Sequence, residues 1–355
     1  MKTVDVKTIY TCGSKETVIF QFYKPLDRGH GNLTIHFNGN INNMVTGFYR
    51  THSKFLTEEE GLIAVTDFGP SDSRRAFPNW DDPSFKAMLE LTLVSPRNHM
   101  TLTNMNERKR RDFNSQFEEI RFETSPPMAT CGMAVVVGKF DFIEKLTEDE
   151  EVMIRVFTPI GRQEEGMFAL EVTSKLLMYY KYYFNTSYPL LKLDLISISD
   201  FPSSVETWGL ITFTENQILV NNETTEAEKR TVAVVIAHAL AHQWFGNLVS
   251  FESWNDMWIT EGFATFIENE AIDILYPNWK MRNNFIAKEY QNAIELDALK
   301  NSVPIDAGIA FPSEINEKFP DASYKKSAAL MRMFSGWIGR EVCFVHFFYI
   351  KLNKK

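Results

Sequence analysis

Ala237-His238-Ala239-Leu240-Ala241-His242-Gln243-Trp244-Phe245-Gly246-Asn247-Leu248 and, a little further on, Trp258-Ile259-Thr260-Glu261-Gly262-Phe263-Ala264 are the stretches on which the fold reading turns. His238 and His242 stand four apart, and in a helix such positions share one face, so both imidazoles can reach a common point. Eighteen residues separate His242 from Glu261, which offers a carboxylate from the next helix. Two histidines and a glutamate form a three-donor set for zinc, with a fourth position left for water or a ligand. On spacing alone, His-x-x-x-His also fits two ordinary surface or core histidines. The residues around it decide between these readings.

Upstream of the histidines, a long helix is expected from about Thr225 to Phe245, with Thr225 and Glu228 as a capping box and Gly246-Asn247 as the stop. MFALEVTSKLLMYYKYYF has helical spacing, while LKLDLISIS and WGLITFTENQILV read as strands. From about Val18 to Val137 short alternating runs such as VIFQF, LTIHF, MLELTLV and MAVVV are broken by Gly, Pro, Asn and Asp. They read as antiparallel strands of a sandwich or saddle. The fold class is therefore α+β: an antiparallel β domain over 1–140, followed over 141–355 by a mostly antiparallel sheet beside helices that carry the metal donors.

These residues resemble the aminopeptidase N family of gluzincin metallopeptidases, whose pattern is HELAHQWFGNLV and then WLNEGFA at the same separation. GFYR at Gly47–Arg50, SRRAFPNWDDPSFKA at Ser73–Ala87, Asn104-Met105 and Pro127-Met128 are similar to further family landmarks. The resemblance implies a thermolysin-like second domain and one Zn2+ per chain on His238, His242 and Glu261. It also implies that the chain starts part-way through the family's β domain and lacks the family's C-terminal β and helical domains. Ala239 falls where the family has the glutamate that takes a proton from zinc-bound water, and a methyl group cannot do that.

Three further positions follow from the same resemblance. The family holds a peptide's free amino terminus with Gly-Ala-Met-Glu-Asn; here the stretch is Ser203-Ser204-Val205-Glu206-Thr207, one residue shorter, with only the glutamate kept. A Cβ in place of the glycine can block close approach of a ligand to the backbone. Glu206 by itself reads as a solvated loop acid; the resemblance makes it an amine-binding group. Asp67 follows Thr66 where the family has a glutamine, so it either favours a basic substrate group or simply ends a strand. Tyr324, in SYKKSAALMRM, falls on the tyrosine that hydrogen-bonds the oxyanion in the tetrahedral intermediate.

Composition narrows the partners. The 355 residues are 44% hydrophobic, enough for a substantial core, and the formal net charge is −9 with no basic cluster of the kind that follows a phosphate backbone, which argues against nucleic acid. Cys12, Cys131 and Cys343 lie far apart and read as buried thiols, and His346 as a core residue. Neither a signal peptide nor a transmembrane segment is legible, so the chain reads as cytoplasmic as written. Sequons at Asn32, Asn185 and Asn222 and the membrane-anchored habit of many relatives fit an extracellular life instead. The expected partners are peptide N-termini or a protein. Three functional readings stand at this point: a zinc-binding family member impaired by Ala239 and its altered loop, a low-activity zinc aminopeptidase, and a metal-free adhesion or binding ectodomain. A deliberate Glu→Ala trap would have left that loop intact.

Overall fold

The structure, a computed structural model, describes residues 3–13, 16–57, 60–202, 204–302, 304–306, 308–309, 314 and 321–339. Ser203, Cys343 and His346 lie outside the described residues.

The N-terminal part is β-rich, and its named strands pair antiparallel. A hairpin of β1 (Val6–Cys12) and β2 (Thr17–Phe22) stands first. A four-stranded sheet follows, in the order β3 (Gly47–His52), β4 (Leu62–Asp67), β11 (Val135–Gly138), β7 (Met100–Thr103). A three-stranded sheet runs β6 (Thr92–Pro96), β9 (Phe117–Phe122), β8 (Glu107–Asp112), and β5 (Lys86–Ala87) pairs with β10 (Met128–Ala129). Tyr49, Ile63, Val65, Leu102 and Val136 form this part's core, and it continues into Ile196 and Ile198 of the next sheet.

LTIHF forms no strand: all of it but Ile35 is exposed, so its alternation is not backed by a surface to bury. MLELTLV contributes only its end, to β6.

The second part is a mixed α+β assembly around one sheet, ordered β12 (Asp141–Leu146), β13 (Met153–Thr158), β14 (Lys192–Ile198), β15 (Leu210–Thr214). It is not mostly antiparallel. β13, β14 and β15 run parallel, and only β12 opposes its neighbour. The reason is the helix α1 (Met167–Tyr183), which carries the chain back between β13 and β14 as a crossover. Every residue of β14 is buried, as parallel strands covered on both faces require.

β15 also ends earlier than expected. Thr214 and Gln217 form a capping box that starts the one-turn helix α2 (Glu215–Ile218).

Helix α3 (Glu226–Trp244) begins as expected, with the Glu228 N–H donating to Thr225 Oγ1 and the Thr225 N–H to Glu228 Oε2. It packs under α1, and the Tyr180 hydroxyl donates to the Ala237 carbonyl. Helix α4 (Met257–Leu275) lies beside it, then α5 (Met281–Phe285) and α6 (Gln291–Asp297), joined by a π-helical turn at Ile286–Tyr290. Helix α7 (Asp321–Ile338) packs against α4. The crossing is close because of Gly262, where a Cβ would lie 1.8 Å from Ser327 Oγ. Ser327 Oγ donates to the Trp258 carbonyl at 2.6 Å. This contact fixes α7, the carrier of Tyr324, against the helix that carries Glu261.

Candidate metal centre

His238 and His242 lie in the last two turns of α3, and Glu261 at the start of the second turn of α4. His238 Nε2 and His242 Nε2 are 3.1 Å apart, and each is 3.5 Å from Glu261 Oε2. Donors about 2.0–2.1 Å from a tetrahedral ion stand roughly 3.3 Å from one another, so the three atoms already have the spacing a zinc-sized cation requires. Among the described residues this is the one group of three such donors brought together.

The outer nitrogens are engaged as well. His238 Nδ1 lies 2.7 Å from Glu268 Oε2, two turns along α4, and His242 Nδ1 lies 3.1 Å from the Phe245 carbonyl. Such partners fix the tautomer, so that each ring turns Nε2 toward the point the three donors share. Glu268 was not legible from the spacing of the donors, although its i+7 relation to Glu261 puts both acids on one face of α4. Asn269 Nδ2 donates to its other oxygen at 3.2 Å.

The electrostatics describe a site poised for a cation. Burial works against a charged His238, but hydrogen bonds and negative charge from Glu261 and Glu268 win, and hold the ring protonated well above its ordinary range. Burial likewise pushes Glu261 up, yet the two histidines bring its carboxyl far below the usual carboxylate range. A divalent ion would meet the same donors in place of the proton. Ala239 follows His238 on α3 and is fully buried in the hydrophobic core, with no titratable group of its own.

The loop that follows Ser203 stands beside the histidine helix. Its base is a bridge between Val205 and Thr212, with N–H to carbonyl distances of 2.9 and 3.1 Å. Thr207 Oγ1 donates to the Leu210 carbonyl across the turn. Helix α3 and the turn after it hold the loop by its main chain. Gln243 Nε2 donates to the Thr207 carbonyl at 3.3 Å, Gln243 Oε1 accepts from the Gly209 N–H at 3.1 Å, and Asn247 Nδ2 donates to the Glu206 carbonyl at 2.9 Å. Gln243 and Asn247, which no spacing marks out in the sequence, hang this loop. The Glu206 side chain is half-buried and accepts from Ser204 Oγ at 2.5 Å.

Asp67 is the last residue of β4, so it does end a strand. Its carboxylate also faces the loop: burial, then the charges of Asp72 and Glu206, raise its pKa to about 6 against a backbone hydrogen bond from Gly69. Tyr324 sits near the start of α7, half-buried in a small cluster with Trp254, Phe251 and Trp258. Cys131 belongs to the same cluster, and burial pushes its thiol up to about 12.

Comparison with known proteins accords with this architecture. The Peptidase M1 N-terminal domain matches residues 1–131, and the Peptidase family M1 domain matches residues 168–354. Aminopeptidase M1-A of Oryza sativa subsp. japonica is 42% identical over 328 residues, which is 92% of this chain and 37% of that protein. Aminopeptidase M1 of Arabidopsis thaliana is 40% identical over 92% of the chain and 37% of its own length. Endoplasmic reticulum aminopeptidase 2 of Homo sapiens is 37% identical over 87% and 32% respectively. The chain thus spans little more than a third of the length of the curated relatives it matches. Among the described residues no helix is long and apolar enough to cross a membrane. With matching family domains across both parts and close to 40% identity along nearly all of its length, the chain belongs to peptidase family M1.

Proposed function

We propose that this chain holds one Zn2+ on His238, His242 and Glu261, receives peptide N-termini beside it, and is impaired in hydrolysis. The observation that carries this reading is the contrast at one turn of α3: three donors at metal-ligand spacing, and a buried alanine next to the first of them. A bound zinc ion would polarise a carbonyl and lower the pKa of a water to about 7. The chain's own residues supply the rest. Glu206 and Asp67 place negative charge where a peptide ammonium would dock, and Tyr324 on α7 is the group assigned to the oxyanion. Ala239 cannot accept a proton, and a positioned base contributes roughly 10²- to 10⁴-fold in rate. The altered loop reduces turnover separately, since misplacing a substrate lowers rate whatever the base does.

The test is paired: zinc content and release from a panel of aminoacyl fluorogenic substrates, for the unaltered chain and for Ala239→Glu. About one zinc per chain, with no release by the first and little by the second, is expected. Strong release by Ala239→Glu would mean an aminopeptidase site one residue from working, and the impairment would then rest on Ala239 alone. Chelator-sensitive release by the unaltered chain would establish a low-activity peptidase. A chain free of zinc after purification without chelators would leave a metal-free binding protein.

A further inference from the structure

The loop that presents Glu206 is pinned from a third direction, by residues with no part in the chemistry proposed above. Asn104 follows β7 at the edge of the N-terminal part and is buried. Its Nδ2 donates to the Trp208 carbonyl and the Gly132 carbonyl, both at 2.8 Å, and its Oδ1 accepts from the Ala134 N–H at 2.8 Å. Lys192, at the start of β14, is 2% exposed, and each of its three N–H bonds has one acceptor: the Thr103 carbonyl at 2.6 Å, Asp194 Oδ2 at 2.7 Å and the Gly209 carbonyl at 2.8 Å.

Burying an ammonium is unfavourable unless it is paired and hydrogen-bonded throughout. An apolar side chain could fill the volume but would leave the Thr103 carbonyl without this donor. Gly209, between these anchors, has φ +78, and a Cβ there would stand 2.4 Å from the Asn104 carbonyl oxygen. The turn is therefore wedged between the N-terminal sheet and Gln243 of the histidine helix.

We propose that Asn104 and Lys192 are positioning residues for Glu206: by holding the Trp208 and Gly209 carbonyls they set the distance between the amine-binding acid and the metal donors. This rests on the reading of Glu206 given above. It assigns the junction between the two parts of the chain a role in recognising the substrate's free amine, with the metal donors untouched.

The experiment compares two ligands that differ only in the ammonium, leucine hydroxamate and 4-methylpentanohydroxamate, titrated against the zinc-loaded chain. Their affinity ratio reads the amine's contribution. In the unaltered chain the ratio favours leucine hydroxamate, and Glu206→Gln abolishes the preference. Asn104→Ala and Lys192→Met each lower the ratio by about tenfold, the size expected for a lost charge-assisted contact. In both variants the amine-free compound binds as before and zinc content is unchanged. Lys192→Met is the safer of the two for folding, since Asp194 keeps its paired bonds from Arg155 at 2.7 and 2.8 Å.

Ser95→Ala is the control. It removes a buried hydrogen bond to Thr101 elsewhere in the N-terminal part and leaves the ratio as it was. An unchanged ratio in both Asn104→Ala and Lys192→Met overturns the positioning role, as does an equal fall in Ser95→Ala, which would mark general loosening. No amine preference in the unaltered chain would refute the role of Glu206 itself, and the positioning role with it.

Discussion

On one side of α3, His238 and His242 meet Glu261 with all four ring nitrogens engaged. Just beyond, Gln243 and Asn247 hold a loop whose side chains depart from the family's Gly-Ala-Met-Glu-Asn at every position but Glu206. The two regions share a helix and differ in what fixes them. The candidate metal centre is made of side chains, and only a few residue types can supply such donors. The loop is held by main-chain groups (the Glu206 and Thr207 carbonyls and the Gly209 N–H), and except at Gly209 nearly any residue brings those. Its shape can thus outlast its original chemistry, whereas the candidate metal centre depends on each of its three side-chain donors.

The largest expected effect breaks the first region. His242→Ala removes one donor of three and should bring zinc from about one per chain to near zero, measured by elemental analysis after dialysis against metal-free buffer. Gln243→Leu attacks the second region where it is vulnerable, through its main-chain contacts. It strips partners from the Gly209 N–H and the Thr207 carbonyl, so denaturant unfolding should show a loss of about 2–4 kcal/mol. Ser204→Ala in the same loop touches only a side chain, and its cost should stay within about 0.5 kcal/mol. A loss as large as that of Gln243→Leu would contradict the distinction between main-chain and side-chain support.

Gly262→Ala sharpens the comparison from the other side. The added methyl meets Ser327 in a helix crossing with no spare room, so stability should fall by about 1–3 kcal/mol while the three donors stay in place.

The smallest effect is one of pH. Asp67 has a pKa near 6 against an ordinary 3.8, so the folded chain binds its proton more tightly than the unfolded one does. Its contribution to stability is then fully present below about pH 4 and is lost as pH rises through 6. Asp67→Asn should raise stability at pH 8 by on the order of 1 kcal/mol, allowing for its partial exposure, and change little at pH 4. Equal effects at both pH values would show that the carboxylate is not strained by burial and by Glu206.

The residues differ in how far they could be read from the chain alone. That His238, His242 and Glu261 come together was legible because their helical intervals put them on facing sides of adjacent helices, and the Thr225–Glu228 cap because two side chains four residues from end to end suffice for it. Gln243, Asn247, Asn104 and Lys192 were not, since their partners are backbone atoms far away in sequence that leave no pattern. LTIHF misled because alternation records a tendency to pair and not the presence of a partner. The direction of β13, β14 and β15 was missed for a related reason. Lys192, Asp194 and Ser197 make β14 look half-solvated, yet all three are buried and the lysine and aspartate neutralise each other.

The wedge at Gly209 has a kinetic side. Its anchors join residues 89 positions apart for Lys192 and Thr103, and 104 apart for Asn104 and Trp208. Contacts of such long range carry the largest loop-closure entropy and form only after the elements at both ends exist. The three candidate donors, His238, His242 and Glu261, lie within 23 positions of one another and need no such wait. During folding the chain can therefore assemble a cation site before it has a finished pocket beside it, and metal captured at that stage would favour the compact state in which the remaining contacts close.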